Sequence, residues 1–209
     1  MTRENLFSLS SLQTNVKYVW TVIPKTTPKV IRKCSRCEQD KFCSSDKFRI
    51  NANKKRIDVW LIYKCIHCEF TFNLPIIART AVSKIEDDLL SRLYTNDTTL
   101  CWQYAFDANF FQNSIKIDWD IGFDFQEQCP NNREAFGSET KIQILVQSEY
   151  NLRIPIFSIL RSKMQLSRSQ LEKLLNSTAL EVFNANGDLL NLKTNLGKGC
   201  ILKVSRDII

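Results

Sequence analysis

Histidine occurs once, at His67, and glycine only five times in 209 residues. A single imidazole leaves little for acid–base chemistry. So few glycines leave no Gly-x-x-x-x-Gly-Lys-Ser/Thr loop and no dinucleotide fingerprint to cradle a phosphate. No apolar run approaches the ~18 residues that span a bilayer. The first residues carry no basic stretch, apolar core and small-residue cleavage site of a secretory leader. These absences lead to the expectation of a cytoplasmic protein with no membrane association, no small-molecule cofactor and no catalysis. There is no low-complexity run, and no internal repeat is read. At 44% hydrophobic residues the chain is not a disordered one, and its length suffices for one good core or two small ones.

What the chain does have is cysteine, eight in all, four of them in two matched pairs: Cys34-Ser-Arg-Cys37 and Cys65-Ile-His-Cys68, 27 residues apart. In a reducing compartment such spacing argues for metal rather than disulfides. Each pair forms a turn that aims two sulfurs at one point, and four thiolates suit the closed tetrahedral site of one structural Zn²⁺ per chain. Cys34, Cys37, Cys65 and Cys68 are the expected ligands, with Cys43 close enough in sequence to replace one of them. Cys101, Cys129 and Cys200 are scattered singly and read as small buried hydrophobes. His67, between two ligands, is expected to face solvent.

The net charge of +7 is unevenly spread. Residues 30–68 carry +6, residues 69–152 carry −7, and residues 153–206 return to +6. Two basic blocks flanking an acidic middle suggest a polyanion held at both ends. In the first block Lys41, Lys47, Arg49, Lys54, Lys55 and Arg56 surround Trp60 and Tyr63, a mixture that suits phosphate contact with base stacking.

Periodicity supplies the elements. Lys17–Ile23 has strand composition. Phe48 and Ile50 alternate with polar neighbours, Asn51–Lys54 turn the chain, and Ile57, Val59, Leu61 and Tyr63 resume the alternation. Ser83-Lys-Ile-Glu86 reads as a capping box ahead of a helix carrying Leu89, Leu90 and Leu93, and a second helix spans roughly 98–111. Strict alternation from Ile115 to Phe125 predicts one amphipathic strand, with Asp118, Asp120 and Asp124 on its polar face. A loop from Cys129 through Pro130 precedes a strand at about 140–147. Two helices, near 155–163 and after the cap Ser167, are followed by short strands at 180–183 and 201–205 around an Asn186-Gly187 turn. The fold class expected is α+β. It comprises a zinc ribbon over residues 15–75, an acidic region of helices and antiparallel strands over 76–150, and a helix-helix-strand unit over 151–209.

The last unit resembles the RNA-binding domain named after small-subunit ribosomal protein four. The resemblance rests on Arg153-Ile, Leu166-Ser-Arg-Ser-Gln170, Leu174-Leu175, Asn186-Gly187 and Gly199. It implies a compact basic face on which Arg153, Arg168 and Lys173 touch phosphates. Nearly the whole chain, from Trp20-Thr-Val-Ile-Pro24 onwards, is also similar to a bacterial family named domain of unknown function 1062. That likeness is carried by Cys34-Ser-Arg-Cys37, Phe48–Asn53, Lys55–Tyr63 and Tyr104-Ala-Phe-Asp107, and it implies no activity.

Together these readings lead to an expected zinc-stabilised protein that binds structured ribosomal or transfer RNA. The contacts would come from Arg49, Lys54, Lys55 and Arg56 at one end and Arg153, Arg168 and Lys173 at the other. Two alternatives stand beside it: an adaptor docking acidic protein partners, and a divalent-metal enzyme on RNA or nucleotide using Asp118, Asp120 and Asp124.

Overall fold

In the computed structural model, residues 16–111, 115–129 and 140–208 are described. The chain forms two compact units. One is Pro24–Gly122; the other combines the described residues up to Ile23 with those from Phe123 onwards. The divisions expected at 75/76 and 150/151 fall inside strands.

In the unit Pro24–Gly122, β2 (Lys29–Ile31), β3 (Lys41–Asn53), β4 (Arg56–Cys65), β5 (Thr71–Ala81) and β6 (Lys116–Asp118) form one sheet. Its order is β5-β4-β3-β2-β6, antiparallel throughout. Strand alternation sets its inner face: Ile57, Val59, Leu61, Tyr63 and Cys65 are buried, while Arg56, Asp58, Trp60, Ile62 and Lys64 between them are not. Against the inner face lie α1 (Asp87–Tyr94) and α2 (Thr98–Phe106), whose Leu93, Leu100, Cys101 and Ala105 join the same core. Asp97 caps α2 by accepting from the Leu100 N–H at 2.7 Å. Its neighbour Asn96, in a left-handed conformation, accepts from the Phe48 N–H at 2.7 Å and so ties the inter-helix turn to β3.

In the other unit, β1 (Val16–Pro24), β7 (Phe123–Gln128), β8 (Lys141–Pro155), β9 (Leu180–Phe183) and β10 (Asn195–Ser205) give the order β7-β1-β8-β10-β9. β1 runs parallel to β8, whereas β10 is antiparallel to both β8 and β9. Between β8 and β9 lie α3 (Ile156–Met164) and α4 (Arg168–Asn176). Ser167 and Gln170 form a reciprocal capping box that starts α4 where the sequence placed it. Ile144, Val146, Leu202 and Val204 are buried on one set of strand positions. Leu145 and Ile201, on the alternate set, form a smaller cluster with Val19, Phe183 and Ala185.

The fold is therefore mostly β, about 47% strand and 25% helix among the described residues, and not the expected α+β arrangement. The strands are longer than local periodicity indicated, because pairing carries β8 and β10 well beyond the segments that alternate cleanly. Nor do residues 153–205 form a helix-helix-strand unit of the ribosomal-protein-four kind. Arg153 lies within β8, and β8 and β10 are completed into a sheet by β1 and β7 from outside that range.

Three local expectations also change. The segment expected as one strand at 115–125 is two, β6 and β7, in different sheets; Gly122 between them has φ +58°. Residues Val82–Lys84 form a 3₁₀ turn, so α1 starts after Glu86 with no side-chain cap. The second helix stops at Phe106, with a separate 3₁₀ turn at Ala108–Phe110. The loop expected from Pro130 lies outside the described residues. Among the described residues no helix is long and apolar enough to cross a membrane.

Candidate metal centre

Two turns built alike bring four sulfurs together. In the first, between β2 and β3, the Glu38 N–H donates to the Cys34 carbonyl at 3.0 Å. In the second, after β4, the Glu69 N–H donates to the Cys65 carbonyl at 3.0 Å. Both glutamates adopt the left-handed conformation, with φ 63° and 59°. Each also pairs with the lysine just before the first cysteine: Lys33 with Glu38 at 3.4 Å, Lys64 with Glu69 at 3.5 Å. The chain thus carries Lys-Cys-x-x-Cys-Glu twice, a short internal repeat the sequence reading passed over.

The sheet sets the two turns side by side. Phe42 pairs across to Val30 on one side and Cys65 on the other, so both turns emerge at the same end of β2, β3 and β4. The Ile66 N–H, donating to the Lys41 carbonyl at 3.1 Å, fixes the second turn against β3.

All four Sγ atoms lie within 4.8 Å of one another, and this group can hold a metal ion. The sulfur contacts cross between turns: Cys34 to Cys68 at 3.6 Å and Cys37 to Cys65 at 3.6 Å. A metal–sulfur bond of about 2.3 Å in a tetrahedron has an edge of roughly 3.8 Å, whereas a disulfide needs about 2.05 Å. The spacing fits the first and excludes the second. Cys34 and Cys65 are buried and belong to the core of the unit, so the cage is continuous with that core.

Backbone donors prepare the sulfurs for charge. Burial raises the Cys34 thiol, but the Arg36 and Cys37 N–H groups and the neighbouring sulfurs outweigh it and bring it down to about 7. Cys65 is lowered chiefly by the Cys68 N–H. Cys37 is lowered by the Gln39 N–H, yet burial and the three adjacent sulfurs prevail and hold it up at about 12. Four thiols this close do not ionise together without a cation among them.

The remaining sequence candidates separate. Cys43 is outside the group, its thiol directed to the Lys64 carbonyl at 3.7 Å. Cys101 and Cys200 are buried, and burial pushes each thiol up to about 12. Cys129, expected to be buried, is exposed. His67 is exposed.

Arg49, Lys54, Lys55 and Arg56 are all exposed and run along β3, the Lys54-Lys55 turn and β4. The turn lies at the far end of β4 from Cys65, roughly 30 Å away at ~3.3 Å per residue. The Arg49 guanidinium sits 5.9 Å from the centre of the Trp60 ring, which the alternation of β4 turns away from the core. Tyr63, expected beside them, is fully buried on the inner face. Arg153, Arg168 and Lys173 are exposed but belong to the other unit, where the Arg168 Nε binds Glu172 Oε1 at 2.9 Å.

The three aspartates do not form one face. Asp118 and Asp120 belong to the unit with the cage, and Asp124 to the other. Lys41 holds Asp118 at 2.9 Å and lowers its pKa. Among the described residues no acidic group of three meets at one point.

Fold and site together define a mostly β protein with a four-cysteine cage able to hold a metal ion. The family model described as protein of unknown function (DUF1062) matches residues 50–186, more than half of the chain, and the chain belongs to that family. The match takes in Cys65 and Cys68 and begins beyond Cys34 and Cys37. No curated protein and no solved structure matches the chain.

Proposed function

We propose that the cage holds one Zn²⁺ as a structural staple and that the stapled unit binds RNA on the outer face of β3 and β4. Four soft thiolates at tetrahedral spacing, with no open position, favour zinc in a structural role. The observation that carries the RNA reading is the Arg49–Trp60 pair. An indole on the solvated side of a sheet, with a guanidinium 5.9 Å from its centre, offers a base a stacking surface beside a phosphate contact. Lys54, Lys55 and Arg56 extend that contact along the backbone of the strand. Ribosomal or transfer RNA as the specific target drew on the C-terminal resemblance, which the fold does not support; a stacking sheet face suits unpaired bases.

Fluorescence anisotropy with a labelled, mixed-sequence single-stranded RNA tests this. Four phosphate contacts predict a slope of log K against log salt of roughly −3. Trp60→Ala should weaken binding by about 5- to 100-fold, in line with the loss of one stacked base. Binding that ignores salt and Trp60 overturns the RNA reading. Recovery of a stoichiometric acidic protein on the same face, retained after nuclease, would favour the adaptor instead. Iron in place of zinc in the purified protein overturns the metal's identity.

A further inference from the structure

A half-open cavity of about 890 Å³ lies in the other unit, among α3, α4, β9 and the segment 189–193. That volume is in the range of small-molecule sites. Its wall includes large apolar side chains that the fold leaves open. Phe157, Leu175 and Leu190 are only half-buried there, and Leu189 is 69% exposed. Apolar side chains left open round a cavity offer contact area to an apolar ligand.

The wall is also held in advance. The Asn184 side chain accepts from the Asn186 and Asp188 N–H groups and donates to the Asp188 carboxylate, locking the turn before Leu189. Leu190 N–H donates to the Val182 carbonyl at 2.7 Å, and Phe157 N–H to the Leu192 carbonyl at 2.9 Å. Little ordering cost remains to be met when a ligand enters.

Four charged residues line the cavity: Arg168, Glu172, Glu181 and Lys193. Three are matched within the protein. Arg168 binds Glu172, and Glu181 accepts from Lys141 Nζ at 2.6 Å. Lys193 is bonded only through its backbone N–H, to Asn191 Oδ1, and its ammonium has no partner among the described residues. One unmatched positive charge beside an apolar wall defines the complementary ligand.

We propose that this cavity binds a small amphipathic monoanion, an alkyl or arylalkyl carboxylate whose apolar body lies against Phe157, Leu175 and Leu189 and whose carboxylate pairs with Lys193. The site is separate from the cysteine cage and independent of the RNA reading.

The test uses the full chain and two matched probes, decanoate and decanol, each below its aggregation limit, displacing 8-anilinonaphthalene-1-sulfonate. One saturable site per chain is expected, with decanoate binding about tenfold more tightly than decanol. Lys193→Gln should erase that difference and leave decanol unchanged, and Leu189→Asp should abolish both. Both side chains are exposed, so the substitutions leave the fold intact, as circular dichroism will verify. No saturable displacement, or a decanoate preference that survives Lys193→Gln, overturns the proposal.

Discussion

Cys34 Sγ and Cys68 Sγ lie 3.6 Å apart across 34 positions of sequence, and Cys37 meets Cys65 at the same distance. Each contact joins one turn to the other rather than closing a turn on itself. A metal at their centre therefore clamps the β2–β3 connection to the end of β4 and anchors it in the core that α1 and α2 share. Binding at such a site contributes on the order of 10–16 kcal/mol, comparable to a domain's whole stability of about 5–15 kcal/mol.

Replacing one sulfur should therefore cost both the ion and the unit. Cys65→Ser is expected to purify without metal and to lose the cooperative unfolding of Pro24–Gly122. Cys43→Ser should retain one equivalent, because its thiol faces the Lys64 carbonyl instead of the cage. Elemental analysis beside thermal melts decides this, and a Cys43→Ser protein without metal would require a different ligand set.

Tyr63 brings a hydroxyl into the same core. Its side chain is fully buried and its Oη has no hydrogen-bond partner among the described residues; burial pushes its pKa upward. Leaving such a group unpaired costs about 1–3 kcal/mol. Tyr63→Phe removes the hydroxyl and keeps the ring contacts with Phe72 and Phe111. The variant should equal or exceed the parent in stability, by up to ~1 kcal/mol, in urea titrations. A clear loss would mean that the hydroxyl is satisfied, by an ordered water for instance.

What the chain revealed in advance divides along physical lines. Spacing of Cys34, Cys37, Cys65 and Cys68 identified the cage, because two x-x turns suffice to aim four sulfurs. Ser167 announced the start of α4, since a cap is a local signal, and the structure adds Gln170 as its reciprocal partner. Strand partners were not legible: β1 pairs in parallel with β8 across more than a hundred residues, and no local pattern encodes that. Alternation from Ile115 to Phe125 was real but hid a break. Trp119 packs on Phe106 with ring centres 6.1 Å apart, and Gly122 then turns the chain into a second sheet. The doubled Lys-Cys-x-x-Cys-Glu stood in plain view, and its lysine–glutamate pairs would have shown that the two turns share one geometry.

Asp97 makes part of the stability depend on pH. The Leu100 N–H and then Arg92 hold its carboxyl below the ordinary value of 3.8. A depressed carboxylate contributes stability above its unfolded pKa and loses it as pH falls through the folded one. Asp97→Asn keeps an acceptor for the Leu100 N–H but removes the charge facing Arg92 at 3.3 Å. The parent should therefore be the more stable near neutrality, and the two should converge below the carboxylate range. Urea midpoints measured across pH supply the check; a gap that stays constant in acid would assign the difference to cap geometry instead.

Gly199 and Gly187 separate two reasons for having glycine. At Gly199 an added Cβ would stand 2.6 Å from the Val146 carbonyl oxygen and 3.3 Å from Gln147 Cα. Both neighbours are backbone of β8, so nothing flexible can yield, and β10 would have to move off its partner at the irregular stretch between Gly197 and Gly199. At Gly187 nothing lies within 4 Å, and the constraint is φ +87° alone. Gly199→Ala should cost about 1–3 kcal/mol, as overpacking does, and Gly187→Ala about 1 kcal/mol, as a lone left-handed residue does. Because β8 and β10 are the middle of their sheet, the first loss should appear as faster amide exchange on both strands. The second should stay confined to the turn. Equal and purely local effects at the two positions would show that β10 does not depend on close approach to β8 at Gly199.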